Sequence, residues 1–152
     1  MRRKDRERDA AFAYEVLRDC EYITLATINP DGTPYCIPLF FAMVDNVIYF
    51  HCATEGQKLD NICFNNNVCI TGVRFTKVLP EKFTTEYESA VANGICIEVT
   101  DENEKIMGLR RITEKYAPDN MENFDSALEK FKNMFSTYKI EIKQITGKAN
   151  MP

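Results

Sequence analysis

Residues 50–62, Phe50-His51-Cys52-Ala53-Thr54-Glu55-Gly56-Gln57-Lys58-Leu59-Asp60-Asn61-Ile62 (FHCATEGQKLDNI), carry the one histidine of the chain at a junction where an apolar strand runs into small residues and then a helical pattern. Thr54-x-x-Gln57 fits a capping box, so the spacing predicts a helix from Thr54 with Leu59, Ile62 and Cys63 on its buried face. The opening turn of such a helix presents unsatisfied N–H groups and partial positive charge, and Lys58 adds a full charge, a combination suited to a phosphate. Gly56 lets the backbone approach such a group closely. Glu55 sets an anion at the same end, and T-x-x-Q boxes also open helices that bind nothing, so both readings stay open on these residues alone. His51 likewise reads as a structural residue, a ligand or a base. Successive strand residues face opposite ways, so His51 and Cys52 do not chelate one metal together, and no metal site is expected.

Upstream, the pattern predicts strands at 22–29 (YITLATIN), 34–44 (PYCIPLFFAMV) and 47–52 (VIYFHC), linked through Asn29-Pro30-Asp31-Gly32-Thr33-Pro34 and Asp45-Asn46 as a β-meander. The second and third are apolar at nearly every position, which requires cover on both faces, and a small barrel with elements packed outside it supplies that. Downstream come strands at 68–75 and 85–100, with a loop over 77–82 between them, and an alternating strand at 137–148. Gly94, inside the 85–100 strand, is a bulge or corner signal. Helical spacing runs through Ala10, Phe12, Ala13, Val16 and Leu17, then Ile106, Leu109, Ile112 and Tyr116, then Phe124, Leu128, Phe131 and Phe135, and all three stripes are expected in the core. The arm RRKDRER reads as a solvated helix start. The fold class is α+β: a six-stranded antiparallel barrel with flanking helices, expected as a single domain over 1–152.

At 152 residues and 17.5 kDa, with net charge −4 and a pI near 5.1, the chain lacks the positive footprint of a nucleic-acid binder. No signal-peptide core or membrane-spanning run is present, so a cytoplasmic protein with no membrane partner is expected. Cys20, Cys36, Cys52, Cys63, Cys69 and Cys96 form no CxxC pair and read as reduced, small apolar residues. GxSxG, HExxH and GxGxxG are all absent, so hydrolase, metalloprotease and Rossmann readings lack their minimal feature.

The order of segments adds specificity. The opening MRRKDRE, the block YFHxAxEGxKLDNI at 49–62, LPEKFTTxYES at 79–89 and ITGKA at 145–149 together resemble the pyridoxamine 5′-phosphate oxidase-like FMN-binding split barrels, specifically the nitroimidazole-resistance (nitroreductase-related) branch. The resemblance implies a split β-barrel homodimer with FMN in clefts between the subunits. It implies that Tyr35, Cys36, Ile37, Pro38 and Leu39 lie along the cofactor, that His51, Cys52 and Ala53 flank it, and that Lys58 holds its phosphate with Gln57 and Asn61 nearby. Tyr87, Glu88 and Ser89 match a region that reaches the flavin from the partner subunit. Gln57 stands where the oxidase pattern has an arginine, leaving one cation for a dianion, and the oxidase's C-terminal substrate arginines have no counterpart beyond Lys148. The implied activity is an FMN-dependent reductase of small oxidised or nitro-bearing molecules, with NAD(P)H as electron donor and no assigned catalytic residue. A non-catalytic flavin or haem module, with His51 as an axial ligand, and a barrel that has lost its ligand are the alternatives.

Overall fold

The apolar run 34–44 is not one strand. The computed structural model describes residues 2–151 and contains eight strands, β1 (Glu7–Arg8), β2 (Ile23–Ile28), β3 (Pro34–Leu39), β4 (Ala42–Val44), β5 (Val47–Cys52), β6 (Asn67–Leu79), β7 (Thr84–Glu98) and β8 (Ser136–Asn150). Four helices accompany them: α1 (Ala10–Asp19), α2 (Gln57–Phe64), α3 (Glu102–Tyr116) and α4 (Phe124–Phe131). The run divides at Phe40-Phe41 because Phe41 turns wholly into the core while Phe40 stays outside, 59% exposed and edge-on to the Tyr116 ring. The Phe41 N–H then donates to Tyr116 Oη (3.1 Å), and Tyr116 Oη donates to Glu21 O (2.6 Å), stapling the link to α3.

This break changes the topology. All pairings are antiparallel in the order β3-β2-β6-β7-β8-β5-β4, with β1 paired to β8, so β5 lies beside β8 and the predicted meander does not form. The two ends of the path, β3 and β4, are joined by only two residues, so the sheet must roll up. No ladder joins β3 to β4, and the result is a split barrel. The expected α+β split barrel is present, with eight strands where six were expected, the extra two being β4 and β1.

Inward-facing Leu25, Ile48, Phe50, Ile70, Ala92 and Ile140 fill the barrel, and Ala13, Val16 and Leu17 of α1 close one end. Each fully buried Val, Leu, Ile or Phe among them contributes about 1.5–3 kcal/mol. Gly94 sits where the β7–β8 register shifts, as the sequence predicts, and a Cβ there would lie 2.5 Å from Glu141 O. Outside the barrel α3 packs on β4 and β5 through Ala42, Tyr49, Val99 and Ile112.

Other expectations are corrected. The charged arm forms a 3-10 turn at Lys4–Arg6 and then β1, because Glu7 and Arg8 find ladder partners in Lys148 and Gly147. The loop expected at 77–82 is strand as far as Leu79, followed by a tight 3-10 turn at Pro80–Lys82 with Phe83 left-handed at its end. α4 stops at Phe131, and of its stripe only Phe124 is buried. No helix among the described residues is long and apolar enough to cross a membrane.

Candidate functional site

β5 delivers His51 and Cys52 to the start of α2, but the capping box does not form. Gly56 adopts φ 132°, ψ 163°, a conformation that glycine tolerates, and α2 starts at Gln57 with no side-chain cap. The backbone oxygen of Gly56 accepts from the Leu59 and Asp60 N–H groups, while the amides of Gln57 and Lys58 have no acceptor among the described residues. A Cβ on Gly56 would meet nothing within 4 Å, so this turn faces open space.

Lys58 is half-buried, its Nζ 5.7 Å from the centre of the Phe50 ring, and among the described residues no carboxylate pairs with it. Its charge reaches both strand-end neighbours. Burial pushes the Cys52 thiol up while Lys58 opposes that shift, and the His51 imidazole is held below its ordinary range first by burial and then by Lys58. The His51 ring packs 5.5 Å from that of Phe135 and makes no hydrogen bond among the described residues.

A polar knot fixes this corner. Asn61, wholly buried, donates through Nδ2 to Thr27 Oγ1 (3.0 Å) and Asn29 Oδ1 (2.8 Å), and Gln57 Nε2 donates to the same Asn29 oxygen (3.0 Å). Asn29 in turn donates its N–H to Thr33 O and accepts from Gly32 N–H, so the β2–β3 turn and the start of α2 are one unit. The Asn61 Oδ1 is buried with no donor among the described residues. The helix therefore buries Asn61 and Ile62 and leaves Cys63 exposed, against the expected face, because the amide of Asn61 finds partners on β2. Thr27 and Asn29 belong to the site without any signal in the sequence beyond an asparagine on the inner side of a helix.

The other predicted residues separate. β3 is an edge strand, with one row of backbone N–H and C=O groups free of any neighbouring strand. Cys36 and Pro38 face outward on it, Tyr35 and Ile37 are half-buried, and Leu39 is in the core at 7% exposure. Ala53 is exposed beside the junction. Ser89 lies elsewhere: it pairs with Lys148, whereas Cys52 pairs with Ser136, so the two are 12 positions apart along β8 (148 − 136). At about 3.3 Å per residue that is roughly 40 Å of strand. A groove of about 450 Å³ crosses the outer face of the sheet between Pro34 and Ile28 on one side and Asn93 and Lys143 on the other.

The sequence profile described as pyridoxamine 5′-phosphate oxidase matches residues 9–149. The chain belongs to that family. Among solved structures, this oxidase-family chain superposes on a candidate 5-nitroimidazole antibiotic resistance protein from Bacteroides thetaiotaomicron with TM-score 0.75 and 24% identity, over 93% of this chain and 84% of that one. A flavocytochrome from Azotobacter vinelandii gives TM-score 0.84 at 17% identity, over 100% and 72% of the two chains. An FAD- and haem-binding protein from Mycobacterium smegmatis gives 0.78 at 16%, over 95% and 72%. At these identities the likeness establishes the barrel. No curated protein sequence matches significantly.

Proposed function

We propose that the chain is an FMN-binding flavoprotein that reduces small oxidised or nitro-bearing molecules with electrons from a reduced nicotinamide. The observation that carries this reading is Lys58: a half-buried lysine with no carboxylate partner among the described residues, beside two helix N–H groups with no acceptor among them, at a turn open to solvent. Desolvated cations are ordinarily paired, and a phosphate monoester satisfies ammonium and amides together. Lys58 and the Gln57 and Lys58 amides would hold the phosphate, the free edge of β3 from Tyr35 to Leu39 would face the cofactor's polar rim, and His51, Cys52 and Ala53 would border it. Asn61 positions the binding turn from inside the knot. A bound flavin supplies the electron-carrying chemistry, so the chain's task is to orient donor and acceptor and to limit water. The flavocytochrome and the FAD- and haem-binding relatives support a flavin in this barrel.

We further propose a cytoplasmic homodimer. Ile28, Val91 and Ile97 are 37–42% exposed on one outer face of the sheet, and Phe83, at the tip of the β6–β7 hairpin, is 98% exposed. Ser89 can border the corner from a second copy, given its distance along its own β8. The purified protein should be yellow, or should gain flavin absorbance on addition of FMN, and should bleach anaerobically with NADH or NADPH; a protein that stays colourless with FMN overturns the reading. A non-catalytic haem module is the second reading, favoured by the unpartnered imidazole of His51. It requires a Soret band with added haem that His51→Ala removes, and no Soret shift in wild type eliminates it.

A further inference from the structure

The stripe on α4 expected in the core instead lines a pocket. Leu109 and Ile112 of α3, Phe124, Leu128 and Phe131 of α4, and Phe135 line an open-sided space of about 170 Å³, with His51 also in the lining. Phe131 remains 40% exposed, so the stripe holds a surface apart without filling it. An apolar cavity of about 150 Å³ lined by Leu, Ile and Phe is the size that takes one benzene ring.

The polar lining narrows the chemistry. The hydroxyl of Thr113 already donates to Leu109 O (3.0 Å), and Asn123 Nδ2 donates to Asn120 Oδ1 (2.7 Å). No acidic or basic side chain other than His51 lines the space. Arg110 sits 4.3 Å from the centre of the Phe124 ring but is bound to Asp125 (3.0 Å), tying α3 to α4 outside it. His51 makes no hydrogen bond among the described residues, and a neutral imidazole offers one N–H donor and one acceptor.

We propose that the space between α3, α4 and His51 is a binding pocket for a neutral, single-ring aromatic or heteroaromatic molecule, its ring among Phe124, Leu128, Phe131 and Phe135 and its one polar atom hydrogen-bonded to His51. Binding is independent of any flavin. That the bound molecule is the electron acceptor rests on the flavin reading, since His51 also borders the Lys58 corner.

Fluorine NMR on the full chain tests the pocket, with 3-fluoropyridine as the hydrogen-bonding probe and fluorobenzene as its apolar counterpart. Saturable broadening is expected with both, tighter for 3-fluoropyridine. Ala127→Trp, at the exposed rim, and Leu128→Trp, within the lining, should each weaken binding at least about tenfold with FMN uptake unchanged. Should Leu128→Trp fail to fold, Ala127→Trp decides. His51→Phe should abolish the preference between the two probes. Absence of saturation in wild type, or equal affinity in Ala127→Trp, overturns the pocket, and FMN uptake in the same samples reports separately on the flavin site.

Discussion

Two half-buried lysines, Lys139 on β8 and Lys58 on α2, meet opposite fates. Lys139 Nζ donates to Glu104 Oε1 at 2.7 Å, with the two side chains 22% and 28% exposed, and the Tyr49 hydroxyl donates to the same oxygen at 2.9 Å. The Lys139 ammonium holds the Glu104 carboxyl below its ordinary range, and burial beside that carboxylate pushes the Tyr49 phenol up to about 12. Lys115 is closed in another way, by the carbonyls of Cys20 (2.7 Å) and Arg18 (3.3 Å) and by the Phe41 ring. Lys58 has none of these partners among the described residues. Lys139 and Lys115, which tie elements together, are surrounded by oxygen; Lys58 is not, and it is the lysine we propose meets the oxygen of a ligand.

The sharpest way to break this contrast is to remove each charge in turn. Lys58→Met should weaken FMN binding by about 1.5–3 kcal/mol, a loss of roughly 10- to 150-fold, while leaving the urea midpoint of the unloaded protein in place. Equal FMN affinity in flavin-fluorescence titrations would make Lys58 a structural residue like Lys139. Glu104→Ala should do the reverse, costing about 1–2 kcal/mol in urea unfolding, because it strips Lys139 and the Tyr49 hydroxyl of their acceptor, with FMN affinity unaltered. Gln57→Arg should sharpen the contrast by adding a second cation at the open end. It gives up only an exposed hydrogen bond to Asn29 and should tighten FMN by about three- to tenfold.

The smallest effect is one of pH. His51 is held below its ordinary value of 6.5, so the unfolded chain binds the proton more readily. The corresponding stability is therefore present above that value and is lost as pH falls through it. Melting temperature should decline slightly from about pH 7.5 to about pH 5.5, and His51→Gln should flatten the decline. A wild type that gains stability on acidification over this window would contradict the lowered His51 imidazole.

Much of the corner could be read in advance because strand alternation and turn chemistry are local. β5, the Asp45-Asn46 hairpin, α1, α3 and the Gly94 bulge all follow from periods of two or 3.6 and from glycine. What was not legible depended on partners distant in sequence. Nothing local says that Phe41 will donate its N–H to a tyrosine hydroxyl 75 residues away, so one apolar run reads as one strand. Thr54-x-x-Gln57 satisfies the capping pattern, yet Asn29 captures the Gln57 side chain and Gly56 takes over the start of the helix. Asn61 looked like a ligand contact and lies inside the knot. The α4 stripe has core periodicity because it faces inward, and periodicity does not report whether the space it faces is filled.

The final strand carries a consequence for synthesis. β8 pairs with β1, β5 and β7, so residues 136–150 sit in the middle of a sheet whose other members have all been made before them. On the ribosome, β5 and β7 wait with open edges for residues 136–150, and the barrel can assemble only after that segment clears the exit tunnel. Closure of the barrel should therefore wait until Asn150 has emerged, with the nascent apolar strands exposed up to that point.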